Sequence, residues 1–217
     1  MTDFTTRRRI MVDTQIRPSD VTKFPIIDAM LSVARENFVD VSQKEAAYTG
    51  ENLDLGNGRV LLEPRTLAKM LDALDISGDD LVMDVGSGYG YSAAVAARMA
   101  QAVVAVEEDE TMAGEAQTLL SEARADNAIV HVGALALGAD EHGPYDVIIV
   151  QGGVGELPSA LENQLKSGGR IACIFMDGPL GVVRIGHKSG DTVSWRFEFN
   201  ASAPILPGFE KPRIFAL

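Results

Sequence analysis

The sequence predicts an α/β fold in which a helical N-terminal region is followed by a mostly parallel β-sheet that ends in antiparallel strands. Three observations support this prediction. Apolar residues recur at helical spacing over residues 5–50. Five short apolar runs follow from residue 80, as in strands that are buried on both faces of a sheet. Two further runs flank Lys188-Ser189-Gly190-Asp191, a sequence typical of a hairpin turn.

Helices and a loop are expected before residue 80. The helical pattern is interrupted by Arg17-Pro18-Ser19-Asp20, where Ser19 or Asp20 is predicted to cap the second helix. The glycine-bearing residues 55–59 are predicted to be a loop, and Pro64 is predicted to begin a further helix, because proline is favoured in a first turn. The cluster Arg7-Arg8-Arg9 is interpreted as a solvated face of the first helix rather than an arm for nucleic acid.

The apolar runs from residue 80 give the expected strands. Parallel strands are predicted at residues 81–85, 102–106, 128–132, 145–150 and 170–175. Residues 180–187 and 192–199 would form the antiparallel hairpin at one edge of the sheet. The segment from Pro204 to Arg213 would either cover a sheet edge or act as an arm for a partner.

The composition disfavours several classes of function. Thirty-one acidic and 19 basic residues give a net charge of −12, which repels nucleic acid. No apolar run reaches the roughly 18 residues of a membrane span, and the N-terminus lacks the apolar part of a signal peptide, so we expect a cytoplasmic protein without a membrane partner. His131, His142 and His187 lack metal-ligand spacing and Cys173 is the lone cysteine, so no metal site is expected.

The sharpest local motif is Asp84-Val85-Gly86-Ser87-Gly88-Tyr89-Gly90-Tyr91, between a predicted strand and an alanine-rich helix. Glycines let the backbone turn sharply and approach a ligand, and the helix supplies free N–H groups. A dinucleotide fingerprint would need its third glycine one residue later, where Tyr91 stands. The motif therefore favours a nucleoside ligand without a pyrophosphate, and Asp84 is expected near a cationic amino group.

A second acidic residue, Glu107, follows the next predicted strand. In dinucleotide-binding folds a carboxylate at this position accepts hydrogen bonds from the ribose hydroxyls. The two acids and the glycines together favour S-adenosyl-L-methionine as a cofactor. The alternative is that the glycines only permit a tight turn. The predicted cofactor-binding residues from this reasoning are Asp84, Gly86, Ser87, Gly88, Gly90, Tyr91 and Glu107.

Further segments outside the glycine motif match one family pattern: Met11-Val12-Asp13-Thr14-Gln15-Ile16-Arg17, Ala29 to Val39, Tyr48, Gly56-Asn57-Gly58, Tyr145 to Val150 and Leu157 to Arg170. In these segments the chain resembles the protein-L-isoaspartate O-methyltransferases, which methylate the damaged carboxylate that forms when asparagine or aspartate isomerises. The resemblance implies a Rossmann-like class I S-adenosylmethionine-dependent methyltransferase fold in one domain, residues 1–217. Residues 1–78 would form the helical, substrate-side region and residues 79–217 the cofactor-binding α/β core.

Two positions depart from the pattern of the family that the chain resembles. The family has Gln-Thr-Ile-Ser-x-Pro, whose hydroxyls hold the isoaspartyl carboxylate, where this chain has Arg59-Val60-Leu61-Leu62-Glu63-Pro64. Arg59 would either bind a carboxylate in its own way or face solvent. The family has Gly-Asp-Gly, whose aspartate accepts from the adenine amino group, where this chain has Gly133-Ala134-Leu135. The resemblance thus places Ala134 and Leu135 at the adenine.

The leading hypothesis is an S-adenosylmethionine-dependent methyltransferase that transfers a methyl group to a carboxylate of isoaspartyl protein or peptide. The alternative is a divergent member that binds S-adenosylmethionine or S-adenosylhomocysteine but acts on another acceptor, or a non-catalytic binding module. Arg59, Val60, Leu61 and Leu62 are the predicted substrate-loop positions, and no catalytic residue is predicted. Residues 60–62 separate the two hypotheses best, because a hydroxyl at either end would support repair and the Val-Leu-Leu present supports divergence.

Overall fold

The centre of the molecule is a β-sheet. In the computed structural model, which describes residues 3–211, this sheet has seven strands in the order β5-β4-β3-β6-β7-β8-β9. A separate hairpin pairs β1 with β2. The strands are β1 (Leu53–Gly56), β2 (Arg59–Leu61), β3 (Leu81–Val85), β4 (Ala102–Glu107), β5 (Ala128–Val132), β6 (Tyr145–Val154), β7 (Leu165–Asp177), β8 (Leu180–Ser189) and β9 (Thr192–Asn200).

The strands from β5 to β7 pair in parallel, whereas β8 and β9 add antiparallel pairs at one end. The predicted parallel runs, the C-terminal hairpin and the fold class are confirmed. The apolar runs are continuous because successive residues face two different cores. On β3, Val82 belongs to one apolar cluster, while Met83 and Val85 belong to the other.

Helices cover the sheet. They are α1 (Phe4–Met11), α2 (Phe24–Ser32), α3 (Pro64–Leu74), α4 (Tyr91–Ala97), α5 (Glu110–Glu122) and α6 (Ser159–Gln164). Buried residues of α1 to α4 join the apolar cluster on one face, and Leu161 of α6 joins the cluster on the other face. Pro64 begins α3 as predicted. None of the helices within residues 3–211 is long and apolar enough to cross a bilayer.

Two predictions about the connecting segments are wrong. The second helix begins at Phe24 and has Lys23 at its N-cap, whereas Ser19 donates to the carbonyl of Gln15 and Asp20 ends a short 3-10 turn at φ 66°. Residues 55–59 belong to the β1–β2 hairpin rather than to a loop alone. Asn57 and Gly58 adopt φ of 51° and 73°, so this Asn-Gly pair supplies the two left-handed residues of a tight hairpin turn.

The basic cluster of the first helix is not a simple solvated face. Arg8 donates to Glu36 at 3.0 Å and to the hydroxyl of Tyr48 at 3.1 Å, and Tyr48 also donates to Glu36. Burial raises the pKa of Tyr48, and the hydrogen bond with Glu36 adds to this effect. Arg7 pairs with Glu45 at 2.6 Å. These side chains tie α1 to the turns that follow α2, so the prediction of a solvated cluster is wrong for Arg8.

The C-terminal segment lies against the end of a central strand instead of an edge strand. Ile205 forms a parallel bridge with Gly153, the second-last residue of β6. Gly153 donates to the carbonyl of Pro204 at 2.7 Å, and Leu206 donates to the carbonyl of Gly153 at 3.0 Å. The prediction of an edge cover is therefore wrong for the described part, and that of a partner arm stays a prediction. Pro212 and Arg213 lie outside the described residues.

Candidate functional site

The glycine motif forms the turn from β3 into α4 at the carboxyl edge of the sheet. Gly86, Gly88 and Gly90 adopt φ of 74°, 56° and 90°, a region that favours glycine, and Gly90 is the N-cap residue of α4. The amides of Gly86 and Ser87 donate to the carbonyl of Val106 on β4. The motif is therefore anchored beside the end of β4, at the edge where parallel sheets bind ligands.

Asp84 lies at the base of this motif and is fully buried. The hydroxyl of Ser92 donates to one carboxylate oxygen at 2.6 Å, and the amide of Gln151 donates to the other at 2.7 Å. Burial raises the pKa of Asp84 to about 6, against the opposing effect of these hydrogen bonds. Asp84 thus joins β3, α4 and β6 from inside, and its predicted role near a ligand amino group stays a prediction.

Glu107 ends β4, and its carboxylate is fully buried. Three backbone amides donate to it, from Gly88 at 3.1 Å, Glu108 at 2.9 Å and Asp109 at 3.0 Å. The structure therefore brings Glu107 and the glycine motif together, as the sequence predicts.

Arg59 completes the environment of Glu107. The guanidinium donates from Nε to Oε2 and from Nη2 to Oε1, both at 2.9 Å, which makes the pair bidentate. It also donates to Glu108 at 3.0 Å and to the carbonyl of Asn57 at 3.1 Å. Burial lowers the pKa of Arg59, but the hydrogen bonds and charges of Glu107 and Glu108 outweigh it and raise the pKa. Of the two predictions for Arg59, solvent exposure is wrong. Binding of a substrate carboxylate stays a prediction, because the carboxylate beside the guanidinium belongs to Glu107 of the same chain.

Two leucines from distant segments close over the glycine motif. A Cβ atom at Gly88 would lie 2.8 Å from Cδ1 of Leu55, and one at Gly86 would lie 3.0 Å from Cδ1 of Leu206. Leu206 also packs on Gly152, where an added Cβ would be 2.6 Å from its Cγ. These glycines therefore make room for leucine side chains of the same chain.

The remaining predicted cofactor residues have different environments. Ser87 is buried, and its hydroxyl has no hydrogen-bond partner. Tyr91 packs into the core, with its ring centroid 5.7 Å from that of Phe38. Leu135 is buried and lies 3.6 Å from the Cβ position of Gly86, whereas Ala134 is exposed. Ser87 and Leu135 thus lie at the motif, while Tyr91 faces the N-terminal helices.

The predicted substrate-side residues are all buried. Val60, Leu61 and Leu62 belong to the large apolar cluster that includes α1 to α4. The carbonyl of Leu62 accepts from Nη2 of Arg35 at 2.8 Å, inside the protein. Core packing therefore holds the segment that follows Arg59, and its predicted contact with a substrate stays a prediction.

Two histidines come together at the end of β5, although their sequence spacing gave no sign of it. Nδ1 of His131 and Nε2 of His142 lie 3.2 and 3.4 Å from the same carboxylate oxygen of Glu141. The two imidazole rings pack edge to face at 5.5 Å, and His187 lies apart on β8. The ligand atoms that His131, Glu141 and His142 offer lie within 4.8 Å of one another, a spacing at which they could hold a metal ion. The expectation of no metal site stays a prediction.

Comparisons with known proteins extend over most of the chain. The family model for protein-L-isoaspartate(D-aspartate) O-methyltransferase (PCMT) matches residues 7–190. The chain belongs to this family. The protein-L-isoaspartate O-methyltransferase 2 of Pelobacter propionicus is 37% identical over 199 residues, 88% of each chain. The protein-L-isoaspartate O-methyltransferase of Roseiflexus castenholzii is 33% identical over 191 residues, 88% of this chain and 87% of that relative.

Solved structures show the same fold for this PCMT-family chain. One protein-L-isoaspartate O-methyltransferase matches with a TM-score of 0.82 and 24% identity, over 94% of this chain and 67% of that chain. A Plasmodium falciparum protein in complex with S-adenosyl-L-homocysteine matches with a TM-score of 0.79 and 17% identity, over 95% and 99% of the two chains. The comparisons confirm the predicted family and fold class, with the methyltransferase activity and S-adenosyl-L-methionine cofactor that membership implies.

The described conformation does not fit that cofactor. Arg59 and three backbone amides engage the Glu107 carboxylate, and Leu55 and Leu206 lie against the glycine motif. The partnerless hydroxyl of Ser87 is the group at this position that points to a ligand. The PCMT fold therefore presents its cofactor edge in a closed form.

Proposed function

We propose that this chain is an S-adenosylmethionine-dependent O-methyltransferase that acts on a carboxylate of isoaspartyl protein or peptide. The observation that carries the proposal is the extent of the family match, which spans the helical N-terminal region and the α/β core. The glycine motif beside Glu107, at the carboxyl edge of the sheet, supports the cofactor assignment.

The proposal keeps the predicted organisation. One domain would span residues 1–217, with residues 1–78 on the substrate side and residues 79–217 around the cofactor. The cofactor residues would be Asp84, Gly86, Ser87, Gly88, Gly90, Tyr91, Glu107, Ala134 and Leu135. The net charge of −12 supports a protein substrate rather than nucleic acid. A cytoplasmic location without a membrane partner remains part of the proposal, and the buried, unpaired Cys173 is in keeping with a reducing compartment.

Transfer of a labelled methyl group from S-adenosylmethionine to an isoaspartyl peptide tests this function. The matched control is the same peptide with a normal aspartate, because the two differ only in the linkage of one residue. We expect transfer to the isoaspartyl peptide alone. Calorimetry with S-adenosylhomocysteine, run beside it, separates a missing cofactor from a wrong acceptor.

A second candidate function is favoured by the Arg59–Glu107 ion pair. A family member whose Glu107 carboxylate is paired with Arg59, and so does not bind a ribose, would keep the fold and act as a binding module without methyl transfer. If neither cofactor binding nor methyl transfer is detected at a high concentration of S-adenosylmethionine, this second candidate is supported and the first is contradicted.

A further inference from the structure

Arg59 occupies the carboxylate that the proposed cofactor would use. We infer that Arg59 is an internal competitor of the cofactor ribose at Glu107, and that this chain binds S-adenosyl nucleosides only when the guanidinium leaves that carboxylate. The inference rests on the proposed function, since it assumes that the cleft is a cofactor cleft. The inference adds Arg59 to the proposed function as a residue that controls access to the cofactor site.

The acceptor capacity of Glu107 carries the first step. A carboxylate offers about four lone-pair sites. Five N–H groups lie within hydrogen-bonding distance of Glu107, two from Arg59 and three from the backbone amides of Gly88, Glu108 and Asp109. The amides of Glu108 and Asp109 directly follow Glu107 in the chain, and the amide of Gly88 belongs to the glycine motif. Two ribose hydroxyls can therefore reach Glu107 only in exchange for the two N–H groups of Arg59.

Burial carries the second step. The side chains of Arg59 and Glu107 are 1% and 0% exposed. Because water does not screen this pair, its attraction is stronger than that of a surface pair, and a ligand hydroxyl without charge is a poor replacement for a guanidinium. Arg59 therefore lowers cofactor affinity more than a neutral residue at the same position would.

Glu108 is a second acidic partner for the guanidinium of Arg59. Nη2 of Arg59 lies 3.0 Å from Glu108, whose side chain is 35% exposed. By turning toward Glu108, Arg59 would free Glu107 and keep an ionic partner. The guanidinium would therefore keep an anionic partner, while Glu107 would keep its three backbone amides and gain the ribose hydroxyls.

The same movement would affect the cover of the glycine motif. Arg59 lies on β2, and Leu55, which contacts Gly88, lies on the paired strand β1. Asn57, in the turn between them, donates to Asp109 at 2.7 Å. Arg59 and Asn57 thus fasten the hairpin to the segment from the end of β4 to the start of α5, and release of Arg59 removes one of the polar attachments of the hairpin that carries Leu55.

Calorimetric titration of S-adenosylhomocysteine into wild type and Arg59→Gln tests the inference. Glutamine removes the charge and retains a polar side chain, so we expect at least tenfold tighter binding by the variant. The matched control is Arg196→Gln, which removes an exposed arginine paired with Glu198 on β9 and should leave the affinity unchanged. Equal affinities of wild type and Arg59→Gln would overturn the inference.

Arg59→Lys is a second test in case Arg59→Gln does not fold, because glutamine leaves Glu107 buried without a cation. Lysine keeps the charge but cannot form the bidentate pair, so tighter binding than wild type is again expected. Thermal unfolding shows whether each variant is folded. If folded Arg59→Gln and Arg59→Lys bind no better than wild type, the inference is wrong.

The inference and the proposed function fail differently. Tight cofactor binding and peptide methylation by wild type would support the function and overturn the inference. Tighter binding by Arg59→Gln than by wild type, with no transfer to the isoaspartyl peptide by either protein, would support the inference and overturn the function.

Discussion

Arg35 and Arg59 are both buried arginines near the glycine motif, but the hydrogen-bond partners of Arg35 are neutral and the main partner of Arg59 is charged. Arg35 donates to two backbone carbonyls, those of Ala47 at 2.6 Å and Leu62 at 2.8 Å. Arg59 donates to the carboxylate of Glu107. Burial lowers the pKa of Arg35. Burial acts in the same direction on Arg59, but its acidic partners outweigh it and raise the pKa.

This difference separates a structural arginine from one that occupies a candidate ligand site. Arg35 satisfies carbonyls that would otherwise lie unpaired in the core, and it stacks 4.9 Å from the ring of Tyr91 at the start of α4. Arg59 neutralises a side chain at the carboxyl edge of the sheet, where parallel α/β folds bind their ligands. Arg35 supports the shape of the motif, whereas Arg59 competes with the cofactor ribose for Glu107.

The largest expected effect is on the stability of the Arg59 region. Glu107→Ala leaves the buried guanidinium without its main partner, so we expect a loss of about 3–5 kcal/mol in the free energy of unfolding. Urea denaturation measures it. The double variant Arg59→Met, Glu107→Leu removes both charges and should recover most of the loss. If the single and double variants are equally unstable, packing rather than the unpaired charge explains the loss.

A smaller effect is expected at Arg35. Arg35→Met keeps most of the side-chain volume but leaves the carbonyls of Ala47 and Leu62 without their donor, at a cost of roughly 1–3 kcal/mol. Urea denaturation again applies, and cofactor affinity should change less than in Arg59→Gln. The control is Arg98→Met, because that arginine is exposed and lies 3.6 Å from Asp28. Equal losses in both variants would mean that the buried carbonyl bonds of Arg35 contribute little.

The sequence predicts the sheet well because each strand has a local signal. The run of residues 145–150 is apolar except for Asp146, which pairs with Lys166 at 2.7 Å, since the rest of β6 is buried on both faces. The Asn57-Gly58 pair also carries a recognised hairpin signal, but its flanking strands have three and four residues, too few to show an alternating pattern.

The ion pair of the cleft could not be predicted in the same way. Arg59 and Glu107 are 48 residues apart and come from separate elements, so no local pattern connects them. The motif around Glu107 predicts a carboxylate at the carboxyl edge, and that much is found. Which cation faces it depends on how the β1–β2 hairpin packs on β4. The contact of Leu206 with Gly86 joins positions still farther apart in the chain, and it likewise depends on tertiary packing.

The smallest expected effect concerns Asp84, a buried carboxylate with hydrogen bonds but no cation among its described partners, in contrast to Glu107. Its pKa is raised from the ordinary 3.8 to about 6, so the folded protein holds this proton to higher pH than the unfolded chain does. The raised pKa therefore favours folding at low pH, and that contribution is lost as the pH rises through about 6. Between pH 5 and pH 7 wild type should lose about 1 kcal/mol more stability than Asp84→Asn, which has no proton to release. Urea denaturation of both proteins at the two pH values measures the difference. Parallel pH profiles would show that Asp84 stays ionised in the fold, and that the hydrogen bonds of Ser92 and Gln151 compensate its burial.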